Sequence, residues 1–159
     1  MIGSVVDNTV LSNFAHIEQP RLLALAFDEI VTVQAVMDEL AVGEELKRVP
    51  DVDWSWLTIT QLTDDELAVA HSLQQSLGRG ESACIAVAAA RRWLLMTDDR
   101  DARRKAREKA VTVSGTLGAL MNLVRRKTLS MPEADQFLIV MKQCGYRCPV
   151  NSLSDLSPD

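Results

Sequence analysis

Asp7, Glu39, Glu81 and the pair Asp98-Asp99 are the residues of this chain whose type and placement could do chemistry. Each lies where the local pattern changes. Asp7 ends the apolar run Ser4-Val5-Val6, and Asp98-Asp99 end the run Trp93-Leu94-Leu95-Met96-Thr97. Glu39 lies in an amphipathic stretch, and Glu81 follows the break Gly78-Arg79-Gly80. Carboxylates brought close together destabilise one another's ionised form unless cations sit between them. An all-oxygen set of that kind suits Mg²⁺ or Mn²⁺ rather than zinc. Such a site can activate water and stabilise charge developing on a phosphodiester, as two-metal nucleases do. Plainer readings stand beside this one. Asp7 could simply cap the next helix, Glu39 could be a solvated helix residue beside Asp38, and Glu81 could favour a helix N-terminus.

For these acids to meet, the elements that carry them must converge. Ser4-Val5-Val6 reads as a buried strand, followed by a short helix over 9–16 and another over 21–27 entered through Pro20. Glu29-Ile30-Val31 reads as a second strand, with a helix from Gln34 to about Val42 and Gly43 near its end. Trp56 to Ile59 alternates as a third strand. Thr63 and Glu66 form a capping box for a helix through about Leu77. A helix of small residues opens at Glu81-Ser82 and runs to Ala90. The run 93–97 is a strand ending in acids, and Asp99 or Asp101 caps the basic helix after it. Val111-Thr112-Val113 is a further strand, followed by helices over 116–124 and, entered through Ser130, over 132–142. Residues 1–150 read as one domain and 151–159 as a loose tail. Alternating strands and helices imply an α/β fold with a parallel sheet covered on both faces. Ligands of such sheets bind beyond the carboxyl ends of the strands, where strand order reverses. If the strands before Asp7 and Asp98 are neighbours there, their acids face one crevice.

Five segments, in order, resemble the signatures of the PIN-domain family. Asp7-Asn8-Thr9-Val10-Leu11-Ser12-Asn13 looks like the D-x-[ST]-x-L-x-N opening, and Val36-Met37-Asp38-Glu39-Leu40 like a helix ending in E-L. Gly80-Glu81-Ser82-Ala83-Cys84-Ile85-Ala86 is similar to the G-E-x-x-x-I-A start of one PIN subgroup, often described as a domain of unknown function. Thr97-Asp98-Asp99 resembles T-x-D or D-D, and Gly115-Thr116-Leu117-Gly118-Ala119-Leu120 resembles the G-T-x-G-x-L element.

The resemblance implies a three-layer α/β/α fold with a mainly parallel, five-stranded sheet. It implies a Mg²⁺- or Mn²⁺-dependent endoribonuclease leaving a 5′-phosphate, of the kind that serves as the toxin of a toxin–antitoxin pair. The implied partners are an RNA substrate, a small antitoxin protein and a second copy of the chain. Carried over, Asp7, Glu39 and Asp99 are metal ligands, and Glu81 completes the acidic pocket and helps orient the attacking water. Thr9 hydrogen-bonds a ligand carboxylate or a metal-bound water, and Asn13 braces the loop. Asp99 fits T-x-D and ranks first for the fourth acid, Asp98 second, with Asp101 as a helix cap.

Arg103 and Arg104, in the basic run 100–109, are the best candidates for phosphate contacts, although the run also reads as a solvated face paired with Asp101 and Glu108. Trp54 and Trp56 flank a loop and are open as base-stacking residues, whereas Trp93 reads as core. The apolar stretch from Phe14 to Phe27 suits a dimer interface and core helices equally. Cys84 reads as core. Cys144 and Cys148 lack nearby histidines to complete a zinc set, and three cysteines in a chain without an export signal argue against a disulfide framework. A start without a basic segment, and no apolar run of membrane-spanning length, lead to a cytoplasmic expectation. The net charge of −5 over 159 residues is unusual for a nucleic-acid enzyme, but bound cations at a carboxylate site would offset part of it. A catalytically silent PIN-fold module binding RNA or protein is the alternative, disfavoured by intact acids at every position. A dehalogenase-like phosphatase wants a second aspartate where Thr9 stands, and a receiver domain wants its acid pair after the first strand.

Overall fold

Runs that are apolar on both sides can only be strands if both faces are covered, and that is how this chain folds. The computed structural model describes residues 2–156. Its elements alternate: β1 (Ser4–Val6), α1 (Asn8–His16), α2 (Leu22–Ala26), β2 (Ile30–Val33), α3 (Gln34–Glu45), β3 (Thr58–Thr60) and α4 (Asp64–Leu73). These are followed by α5 (Arg79–Arg91), β4 (Leu94–Met96), α6 (Arg100–Glu108), β5 (Val113–Ser114), α7 (Thr116–Arg125) and α8 (Met131–Gln143). The strands form one sheet in the order β3-β2-β1-β4-β5, with every pairing parallel. Helices on both sides make it the three-layer α/β/α fold that the sequence predicts.

α5 runs against β1, β2 and β4 and is flanked by α3, α4 and α6. Its residues from Ser82 to Ala88 are all buried. A helix covered nearly all round needs small side chains to approach its neighbours, and alanines at 83, 86 and 88 supply them. The other layer is built from α1, α2, α7 and α8, with Phe14, Leu23, Leu120 and Leu138 inside it. Each such side chain contributes about 1.5–3 kcal/mol when fully buried.

Local chemistry sets most element ends. The predicted capping box at Thr63 and Glu66 is present, with Thr63 Oγ1 accepting from Glu66 N at 3.2 Å and Glu66 Oε2 accepting from Thr63 N at 3.0 Å. Ser130 and Glu133 do the same for α8. Other boundaries move. α3 runs through Gly43 to Glu45, because a bare Cα there admits the Val49 methyl, which would lie 2.7 Å from an added Cβ. The third strand starts at Thr58 rather than Trp56, since Leu57 N closes a turn onto Trp54 O at 2.9 Å. β5 starts at Val113 rather than Val111, because Val111 N donates to Ala106 O and ends α6. The expected loose tail is corrected in part. Leu153 is fully buried in a short 3-10 turn, Leu153–Asp155, and its N–H donates to Asp135 at 2.6 Å. Residues 157–159 of that expected tail lie outside the described residues.

Candidate active site

β1 and β4 are neighbours, and the chain places β2 on one side of β1 and β4 on the other. Strand order reverses there, and the crevice beyond the carboxyl ends of β1 and β4 is the expected ligand position. Val6 is in register with Met96, so Asp7 and Thr97 leave the sheet side by side, and Asp7 N donates to Met96 O at 3.0 Å.

Asp7 is almost completely buried. Its Oδ1 accepts from Thr9 N at 2.9 Å, from the Thr9 hydroxyl at 2.5 Å and from Val10 N at 3.4 Å, and its Oδ2 accepts from the Thr97 hydroxyl. The two hydroxyls are themselves oriented. Thr9 Oγ1 accepts from Asp98 N at 2.8 Å, and Thr97 Oγ1 accepts from Asp99 N at 3.1 Å, so each hydroxyl proton is directed to Asp7. The first and fourth signatures are thus joined through one carboxylate. Burial pushes the Asp7 pKa up to about 7, against the lowering effect of its hydrogen bonds and with the Asp98 charge adding to the rise. The anion sits where it lacks a counter-charge.

Glu39 and Glu81 come from the neighbouring helices α3 and α5. Glu39 Oε1 accepts from Gly80 N at 3.1 Å, a contact possible because a Cβ on Gly80 would lie 2.9 Å from that oxygen. Glu81 Oε2 accepts from Gly78 N at 3.3 Å, in the first turn of α5 where the helix dipole favours an anion. Burial raises the Glu81 pKa first, and the charges of Asp99, Glu39 and Asp101 raise it further. The buried Cys84 thiol, a single turn along α5, has its pKa raised by burial and then by Asp7, Glu39 and Glu81. These acids therefore share one electrostatic field.

Asp98 and Asp99 diverge. Asp99 caps α6, its Oδ1 accepting from Ala102 N at 2.8 Å, so the cap expected of Asp99 or Asp101 falls to Asp99. Asp98 turns toward α7 and α1, accepting from Thr116 N at 2.9 Å, from the Thr116 hydroxyl at 2.5 Å and from Asn13 Nδ2 at 3.1 Å. Asn13 thus braces the turn after β4 rather than its own loop alone. Burial raises the Asp98 pKa despite these donors. Arg103 is turned inward, with Nη1 donating to Thr97 O at 2.8 Å, and Arg104 is exposed and paired with Asp101 at 3.4 Å. Of the two candidates for phosphate contacts, Arg103 thus has a backbone partner and Arg104 lies on the exposed face. Trp54 is buried beside Trp56, with ring centroids 6.0 Å apart, before the amino end of β3 and so away from the acids.

Thr97, Thr116 and Tyr146 were not singled out by type and spacing. The first two lie inside quoted signatures, and their hydroxyls carry the acid turns. Tyr146 is half-buried, and burial with the nearby Asp98 charge pushes its phenol pKa well up. Nothing local in the sequence marks Tyr146, which reaches the site from beyond α8.

A family described as "DUF3368: PIN domain" matches residues 4–157. The chain belongs to the PIN-domain family. No curated protein matches it. PIN domains are generally nucleases and typically use divalent metals, so this chain carries a nuclease fold. Among the described residues, no three His, Cys, Asp or Glu side chains form a ready-made metal cage. The salt bridges among the described residues also leave Asp7, Glu39, Glu81, Asp98 and Asp99 without a partner. An all-oxygen donor set around an uncompensated buried anion fits a hard divalent cation.

Proposed function

We propose that this PIN domain is a divalent-metal-dependent endoribonuclease that hydrolyses RNA phosphodiester bonds, and that it is the toxin of a toxin–antitoxin pair. The observation that carries the reading is Asp7, a buried carboxylate held by two oriented hydroxyls in the field of further acids at the switch point of the sheet. Asp7, Glu39 and Asp99 would hold Mg²⁺ or Mn²⁺, directly or through water. When bound, the cation supplies Lewis-acid stabilisation of phosphoryl charge and lowers the pKa of a coordinated water.

The protein groups do the rest. Thr9 and Thr97 fix the orientation of the Asp7 oxygens. Glu81, whose raised pKa makes it a better proton acceptor than an ordinary carboxylate, orients the attacking water and takes its proton. The water oxygen bonds to phosphorus as the P–O3′ bond breaks, giving a 5′-phosphate and a 3′-oxyanion that takes a proton from solvent to become the 3′-hydroxyl. The partners of this reading are an RNA substrate and a cognate antitoxin protein, in the cytoplasm. Support for RNA and for the antitoxin comes from family membership, and support for the metal comes from the donor chemistry.

The test is cleavage of a mixed RNA pool by purified protein with Mn²⁺ or Mg²⁺. Cutting that stops on EDTA treatment, returns with Mn²⁺ and is absent from Asp7→Asn is the expected result. Equal cutting by Asp7→Asn would remove the assignment.

A further inference from the structure

The two adjacent acids after β4 have different surroundings, and the difference assigns them different jobs. Asp98 has three protein donors on its two oxygens: Thr116 N on Oδ1, and the Thr116 hydroxyl and Asn13 Nδ2 on Oδ2. Asn13 and Thr116 are both buried, and Asn13 Nδ2 also lies 3.0 Å from Thr116 Oγ1, so the three side chains close a compact cluster. The Asp98 carboxylate lies so close over Gly115 that a Cβ there would be 2.3 Å from Oδ1. It also occupies the N-terminus of the ten-residue helix α7, whose dipole favours an anion without any cation. Asp99, by contrast, gives one oxygen to its helix cap, and its Oδ2 carries no hydrogen bond from the described residues.

We propose that Asp98 is a positioning residue, a half-buried latch that joins α1, the β4 turn and α7 and thereby fixes Asp99. The latch gives the Gly115-Thr116 element its purpose. Glycine admits the carboxylate, and threonine donates to both of its oxygens. The mechanical link is short. Asp98 N holds the Thr9 hydroxyl, Asp99 N holds the Thr97 hydroxyl, and both hydroxyls end on Asp7. A turn that slackens at Asp98 therefore misplaces Asp99 and both donors to Asp7 together.

The activity arm of the test rests on the nuclease reading, whereas the exchange arm does not. In Asp98→Asn the new amide NH₂ must face a donor on Asn13 or Thr116, so the latch opens. Exchanging the groups, Asn13→Asp with Asp98→Asn, lets the amide donate to a carboxylate across the same gap. Hydrogen–deuterium exchange is expected to rise over residues 97–102 in Asp98→Asn and in Thr116→Val, and to return toward wild type in the exchanged double variant. Mn²⁺ affinity, read by electron paramagnetic resonance, is expected to fall about 10–100-fold in Asp98→Asn and to return in the exchanged double variant. On RNA at saturating Mn²⁺, Asp98→Asn lowers kcat by about 10–100-fold with little change in KM, and the double variant recovers most of it. Mn²⁺ affinity that stays lost in the exchanged double variant would make Asp98 a ligand and overturn the proposal. Unchanged exchange over 97–102 in both Asp98→Asn and Thr116→Val would also overturn it. A wild type that neither binds Mn²⁺ nor cuts RNA would sink the nuclease reading, and the exchange data would still decide the latch.

Discussion

Two buried carboxylates, at two corners of the molecule, are treated in opposite ways. Glu66, at the start of α4, accepts from Arg91 Nε at 2.8 Å and from Arg91 Nη2 at 3.0 Å. The same guanidinium reaches Thr60 Oγ1 and Gln61 O at the end of β3, so the pair ties an edge strand to α4 and α5. Bonding to Arg91 holds the Glu66 pKa below the usual carboxylate range. Asp7 is as deeply buried, has only neutral donors, and has its pKa raised to about 7. A carboxylate that serves only the fold is given its counter-charge by the fold. One left without it, surrounded by more acids, is kept for a cation from outside. The roughly 590 Å³ cavity at the opposite end of the sheet makes the same point. Its Arg126 is already paired with Asp28 at 3.0 Å.

The contrast can be broken by exchanging which property each substitution costs. Asp7→Asn is expected to lower RNA cleavage by about 10³-fold, equivalent to about 4 kcal/mol of transition-state stabilisation, while circular dichroism and gel filtration match the wild type. Glu66→Gln is expected to do the reverse. It leaves Arg91 without a charged partner and costs about 3 kcal/mol in denaturant unfolding, with kcat per folded molecule unchanged. If Glu66→Gln lost cleavage and Asp7→Asn lost stability, the two roles would be misassigned.

The pH dependence sharpens it. Between 3.8 and about 7 the folded state of the metal-free protein keeps a proton on Asp7 that the unfolded chain has released. Stability from this group therefore falls as pH rises through that window, on the order of 2 kcal/mol between roughly pH 5 and 7. Glu66 has the other sign. Its contribution is full above its unfolded pKa and is lost as pH falls through its lowered folded value. Unfolding curves at a series of pH values check both, since Asp7→Asn should flatten the neutral slope and Glu66→Gln the acid one. The smallest expected effect on cleavage is at Glu81→Gln, about 10²-fold in kcat through loss of the carboxylate that orients the water and takes its proton. A kcat–pH profile in which the acid limb disappears in that variant would confirm the role. An unchanged profile would assign Glu81 to charge alone.

Much of this contrast was legible in the sequence. Strands buried on both faces read as unbroken apolar runs, so the two strand-then-acid patterns placed Asp7 and Asp98-Asp99 at strand ends, and parallel pairing brought them together. The Thr63 and Glu66 capping box was legible because its two halves are three residues apart. The division of labour between Asp98 and Asp99 was not, because the donors that hold Asp98 come from residues 13 and 116. The inward turn of Arg103 was equally hidden. A basic helix face reads as solvated until the carbonyl of Thr97 is placed beneath it. Leu153 falls within the expected tail because a single buried leucine has no period to announce it.

The most direct test of the central claim is Mn²⁺ binding to the purified protein, followed by electron paramagnetic resonance, in wild type and Asp7→Asn. The expected result is saturable binding by the wild type that strengthens as pH rises past about 7, where Asp7 no longer holds its proton, and that Asp7→Asn abolishes. Equal binding by the two proteins would place the cation elsewhere and remove Asp7 from the metal site.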